Sequence, residues 1–184
     1  MRRLTKAALA MQFIDFCGIV PLKDASIKEF AEFAGISKQT FYNYFQDKAD
    51  LMNYAYEIGS QKIVEDMRGS VSSLRDGAVR MAQVCLRNKK FYTQLARYET
   101  QNNFIQHFTH RCELVYQEKL AALHGAQIID NRMRRIIHVY SVGVCTYFVE
   151  WIRSDMKDPP EYIADIIVSC LPLCIRKLLE PEDD

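Results

Sequence analysis

Apolar residues recur at three- and four-residue spacing along almost the whole chain, and the strict alternation that marks strands is nearly absent. The pattern predicts an all-α protein. Residues 3–17, rich in Ala, Leu, Met and Phe, form a first helix closed by Gly18. "GIVPLKDA" is a connector, because Pro21 cannot continue a helix. "SIKE" opens a second helix with a capping box between Ser26 and Glu29. That helix is short, since Gly35 suits the left-handed conformation that ends helices. Ser37 caps a third helix reaching about Phe45, and Asp47 caps a long fourth helix ending near Gly69.

Beyond it, helices are expected at about 74–88, 90–98, 103–124, 130–154 and 160–179. Asp158 and Pro159 read as N-cap and first helical residue of the last one, and Pro172 should kink it. The expected organisation is a helix-turn-helix unit over residues 1–48, a linking helix over 48–69, and a second helical unit over 70–184.

The third helix holds the informative stretch, "GISKQTFYNYFQDK", with four aromatic residues in five positions. At about 100° per residue, Phe41 and Phe45 share one direction, suited to packing on Ile27, Phe30 and Ala34. Gln39, Thr40 and Asn43 fall opposite, and Tyr42 and Tyr44 stand on the flanks. Two aromatics anchor the helix; two serve as hydroxyl-bearing shoulders beside a polar face.

Such a face suits a DNA major groove. Gln and Asn bond bidentately to adenine edges, and Thr reaches a base or a thymine methyl. Tyrosine hydroxyls hydrogen-bond phosphates. Helix starts at Ser26 and Asp47–Lys48 attract anions, with Lys38 and Lys48 adding charge nearby. The candidate DNA-contacting residues are thus Ser26, Ser37, Lys38, Gln39, Thr40, Tyr42, Asn43, Tyr44 and Lys48. A plain helical hairpin would share the periodicity. It would not need the combination of cap, glycine turn, short helix and aromatic bracket.

Net charge contributes little. The 184 residues carry 24 Lys/Arg against 23 Asp/Glu, and residues 1–50 carry seven against six, so a nucleic-acid reading rests on geometry. The 49% hydrophobic content is that of a folded protein. Six cysteines without CxxC spacing, and an N-terminal stretch interrupted by Lys6, Gln12 and Asp15, argue against a secreted disulfide scaffold and for a reducing cytoplasm. "IIHVYSVGVCTYFV" is too short to span a bilayer, so no membrane partner is expected.

"SIKEFAEFAGISKQTFYNYFQDKADLM" resembles the DNA-binding region of TetR-family transcriptional regulators. The features that carry the resemblance are Gly35, Ser37, "YNYF" and Lys48, within roughly the first 65 residues. It implies a homodimer with two recognition helices on double-stranded DNA, and a C-terminal unit that dimerises and binds a small-molecule inducer. "FYTQLARYETQNNF" (residues 91–104) resembles a subgroup that includes regulators controlled by a protein effector instead. The acidic pair Glu29 and Glu32 on the second helix departs from the family pattern and lowers the electrostatic contribution.

Tyr92, Tyr98, Phe108, Tyr116, Tyr147 and Trp151 are candidates to line an inducer pocket, though aromatics on amphipathic helices also serve as plain core. The last two helices are apolar over wide faces, which reads better as a homodimer interface than as a larger monomer core. His107, His110 and Cys112 invite a metal reading, but zinc needs about four well-placed ligands, and neither metal nor cofactor is expected. Cys170 and Cys174 read as buried packing on one helical face. Without a glycine-rich phosphate loop, a GxSxG elbow or HExxH, an enzyme is the weaker class.

Overall fold

The computed structural model describes residues 5–66, 71–98 and 104–180. The described residues form ten α-helices: α1 (Lys6–Cys17), α2 (Ile27–Phe33), α3 (Lys38–Tyr42), α4 (Lys48–Asp66), α5 (Val71–Arg87), α6 (Lys89–Arg97), α7 (Phe104–His124), α8 (Asn131–Arg153), α9 (Pro160–Ser169) and α10 (Leu173–Leu179). No strand occurs among them. Gly69, and residues 99–103 of the second resemblance, lie outside the described residues.

α1 is amphipathic by spacing, and it buries Leu9, Ala10, Phe13, Ile14, Phe16 and Cys17. Phe13 meets Phe30 of α2 edge-on at 5.2 Å and Phe91 of α6 at 6.4 Å. Aromatic pairs in this geometry contribute about 0.5–1.5 kcal/mol beyond their buried area. The N-terminal helices and α6 therefore share one continuous core. A second cluster joins Leu74, Tyr116, Leu120, Ile137 and Tyr140 to Leu171, Ile175 and Leu179.

Three local expectations change. The segment expected as one kinked helix over 160–179 is two helices, α9 and α10, with Pro172 as the N-cap of α10. Pro172 has no amide proton, so the Val168 carbonyl instead accepts from Leu171 N at 3.1 Å and Arg176 Nη2 at 2.8 Å. The start of α9 lies one residue later than expected, with Pro159 as N-cap and Pro160 first. The Asp158 carbonyl is taken by Trp151 Nε1 at 3.0 Å. Cys170 and Cys174 fall on either side of the break and are exposed, not buried.

α8 ends in a turn that glycine usually makes. Asp155 has φ 71°, its amide donates to Ile152 O, and Met156 N donates to Trp151 O at 3.0 Å. This is the Schellman pattern with aspartate in the left-handed position.

Candidate functional site

The capping box forms as the sequence implies. Ser26 Oγ accepts from Glu29 N at 3.2 Å, and Glu29 Oε2 accepts from Ser26 N at 3.0 Å and from its hydroxyl at 2.6 Å. These bonds hold the Glu29 carboxyl below its usual range. Gly35, at φ 66°, ends α2; its amide donates to Glu32 O, and Ile36 N donates to Ala31 O at 2.9 Å. Both orphan carbonyls are satisfied, and the chain turns sharply into α3.

Ser37 Oγ accepts from Thr40 N at 3.0 Å and lies 2.9 Å from Thr40 Oγ1. α3 is shorter than expected, with Asn43 as its C-cap. The turn continues all the same, as Phe45 N donates to Phe41 O at 3.0 Å, so the helical-wheel positions hold. Phe41 and Phe45 are buried, with rings 5.7 Å apart and Phe30 6.2 Å from Phe41. Lys38, Gln39 and Asn43 are exposed. Gln39 Nε2 donates to Asn43 Oδ1 at 3.4 Å, which sets the two amides side by side on the outer face. Tyr42 is half exposed and Tyr44 half-buried.

Three of the expected phosphate contacts are engaged within the chain. Lys48 Nζ donates to Leu22 O at 3.0 Å and Ala25 O at 2.9 Å, and lies 4.9 Å from the Tyr98 ring centre. Its ammonium fastens the connector before α2 to α4 and α6. The Ser26 hydroxyl is taken up by Glu29, whose carboxylate already occupies the start of α2. Asp47 Oδ1 accepts from Asp50 N at 2.8 Å, so α4 likewise begins on its own carboxylate. Sequence spacing finds these residues near the turn but does not show that the fold uses their polar atoms.

A family model described as "Bacterial regulatory proteins, tetR family" matches residues 21–55, the turn and α3 included. A second, described as "Transcriptional regulator C-terminal region", matches residues 72–172. The chain belongs to the TetR family. It is a DNA-binding transcriptional regulator by that membership.

Several solved structures share its fold. The dihydroxyacetone kinase operon activator DhaS is 21% identical with a TM-score of 0.66, over 96% of this chain and 98% of that one. The repressor AlkX of Dietzia sp. strain DQ12-45-1b, implicated in n-alkane biodegradation, is 14% identical with a TM-score of 0.63, over 98% and 100%. NalD of Pseudomonas aeruginosa, secondary repressor of the MexAB-OprM efflux pump, is 18% identical with a TM-score of 0.54, over 97% and 96%. No curated protein sequence matches the chain.

In this TetR-family chain a cavity of about 110 Å³ lies between α4, α5, α7 and α8, with Ile167 of α9 at one side. α7 presents Phe108, Arg111, Cys112, Val115 and Tyr116 to it, the spacing of one helical face. α5 contributes Gly77 and Ala78, whose small size leaves the space open.

Of the six aromatic candidates, Phe108 and Tyr116 line this cavity. The other four do not. Tyr92 and Trp151 are core, Tyr98 caps α6 beneath Lys48, and Tyr147 lines a groove on the outer side of α8 and α9. Tyr56, Met81 and Phe148 take their places. The signal that finds the wall of this cavity is the periodicity of α7 combined with the small pair on α5, not aromatic content.

His107 and His110 face different carboxylates. His107 Nε2 is 3.2 Å from Glu57 Oε1, and His110 Nδ1 is 4.0 Å from Glu113 Oε2. Glu113 also pairs with His138 Nδ1 of α8 at 2.7 Å. Burial lowers the His107 pKa against the opposing pull of Glu57. Among the described residues no helix is long and apolar enough to cross a membrane.

Proposed function

We propose that this regulator is a homodimeric repressor that binds a pseudo-palindromic operator through α3 and is released by a small molecule seated in the cavity. Residues 1–48 act as the reading unit, α4 as the link, and residues 70–184 as the effector-binding and dimerising unit. Gln39 and Asn43 read base edges, Tyr42 and Tyr44 flank them on the phosphates, and Ser37, Thr40 and Lys38 position the start of the helix. Two copies of α3 then lie about one DNA turn apart, roughly 34–36 Å. The chain acts by binding, without catalysis, in the cytoplasm.

The observation that carries this reading is the division of α3: Phe41 and Phe45 buried beneath, Gln39 and Asn43 exposed above. Dimerisation draws support from α8 and α9, where Val139 is 71% exposed and Val142 and Tyr162 also face outward. An apolar cavity set between helices suits a small effector better than a protein one. AlkX and NalD, which share the fold, are described as repressors, and DhaS as an activator.

Selection of the full chain against random duplex DNA tests the reading. Enrichment of one inverted repeat is expected, with a footprint for two subunits. Failure to enrich any repeat rejects it.

A further inference from the structure

Arg111 is the one charged side chain among the described residues that line the cavity. Around it the wall is apolar: Met81, Val115, Val144 and Phe148 supply hydrocarbon and ring surface. Arg111 is half-buried, and among the described residues no carboxylate makes an ion pair with its guanidinium. Two acidic side chains of the flanking helices have other neighbours: Glu57 Oε1 lies 3.2 Å from His107 Nε2, and Glu113 Oε1 lies 2.7 Å from His138 Nδ1. Ser60, which also lines the wall, donates its hydroxyl proton to Glu57 O at 3.0 Å, so it offers a ligand an acceptor and no proton.

We infer that the effector is a small amphipathic monoanion, a monocarboxylate, whose charged end is bound by Arg111 while its apolar body fills the space between α5, α7 and α8. A guanidinium holds a carboxylate by two parallel hydrogen bonds, and a low-dielectric wall strengthens both. One unpaired positive charge against apolar surroundings balances one negative charge, which disfavours a doubly charged phosphate. Size sets the second limit. An apolar cavity of about 150 Å³ admits benzene, so this smaller one takes a short acyl chain. The inference rests on the cavity being the effector site and names the chemistry it selects.

Calorimetric titration of the full chain with sodium propionate and sodium butyrate, against propionamide and butyramide as neutral isosteres, tests it. The acids should bind at least tenfold more tightly than the amides. Arg111→Gln should abolish that preference, and Arg111→Lys should retain part of it. Ala78→Leu, which fills the cavity but keeps the arginine, should remove binding of both. Melting curves of each variant report whether it is folded.

Equal affinity for acid and amide, no binding of any of the four, or indifference to Arg111→Gln in a folded variant overturns the inference. Acid binding that needs Arg111 but leaves a selected operator complex undisturbed upholds the anion site and rejects the proposed release from DNA.

Discussion

The side-chain amide of Gln94, on α6, donates from Nε2 to the Cys17 carbonyl at 2.8 Å, and its Oε1 accepts from the Leu22 amide. One side chain thus satisfies two backbone groups of the connector between α1 and α2. Lys90 Nζ adds a bond to Gly18 O at 3.0 Å, and Lys48 with Tyr98 closes the same contact from the other side. The junction between the N-terminal helices and α6 is polar and specific, laid over the aromatic packing of Phe13 on Phe91.

Gln94→Leu should therefore cost about 2–4 kcal/mol, since it strands a part-buried donor and a part-buried acceptor. Gln94→Glu, which keeps the acceptor and loses the donor, should cost less. Urea unfolding of the three proteins measures both.

Asn43→Ala or Gln39→Ala should remove about 1–3 kcal/mol of discrimination between the selected operator and point-mutated versions of it. Tyr42→Phe should instead weaken all sequences alike. Competitive mobility shifts separate the two patterns, and equal effects from both kinds of change would contradict the assigned roles.

Gly35→Ala meets open space, with nothing within 4 Å of the added methyl, so its cost is conformational alone: about 1–2 kcal/mol for φ 66°. Gly59→Ala fails for the opposite reason. In α4 the backbone is helical, but the new Cβ would stand 2.9 Å from the phenol oxygen of buried Tyr92. The double variant Gly59→Ala with Tyr92→Phe removes that oxygen and should recover most of the loss. Thermal melts of the single and double variants decide it.

Acidification should weaken the fold through His107. Its folded pKa lies below the ordinary 6.5, mainly through burial, so the unfolded chain binds the proton first. Stability is then lost as pH falls from about 6.5 towards the folded value and levels off below it. The difference in urea midpoint between the parent chain and His107→Gln, followed from pH 7.5 to 5, should shrink over that interval. A constant difference would show that His107 does not titrate as the structure requires.

Val139→Glu places a charge on the exposed apolar face of α8 and should leave the monomer fold intact. Sedimentation should show a shift from dimer to monomer, and operator affinity should fall with it. An unchanged dimer would move the interface elsewhere.

The turn and the face of α3 are legible in the sequence because they are local. A capping box, a left-handed glycine and the 3.6-residue period act over fewer than ten residues. The engagement of Lys48, Ser26 and Asp47 is less legible. An ammonium between two carbonyls more than twenty residues away leaves no trace in spacing. The cavity was half legible: Phe108 and Tyr116 are found by aromatic content, but Arg111 and the Gly77–Ala78 pair count only once four helices are brought together. Pro172 reads as a bend in the sequence, yet the chain stops and restarts there, because Arg176 and Leu171 offer the released Val168 carbonyl other partners.

That restart ties the tail of the polypeptide to chemistry far from it in sequence. After Pro172 the helix α10 folds onto α7, His124 Nε2 bonds Leu178 O at 2.7 Å, and Ile175 and Leu179 share a hydrophobic cluster with Tyr116, which lines the cavity. Trimming the chain after Ser169, or crowding its end with a purification handle, would loosen the rear wall of the chamber. Effector affinities measured on a shortened protein would then describe a wider vessel than the intact one.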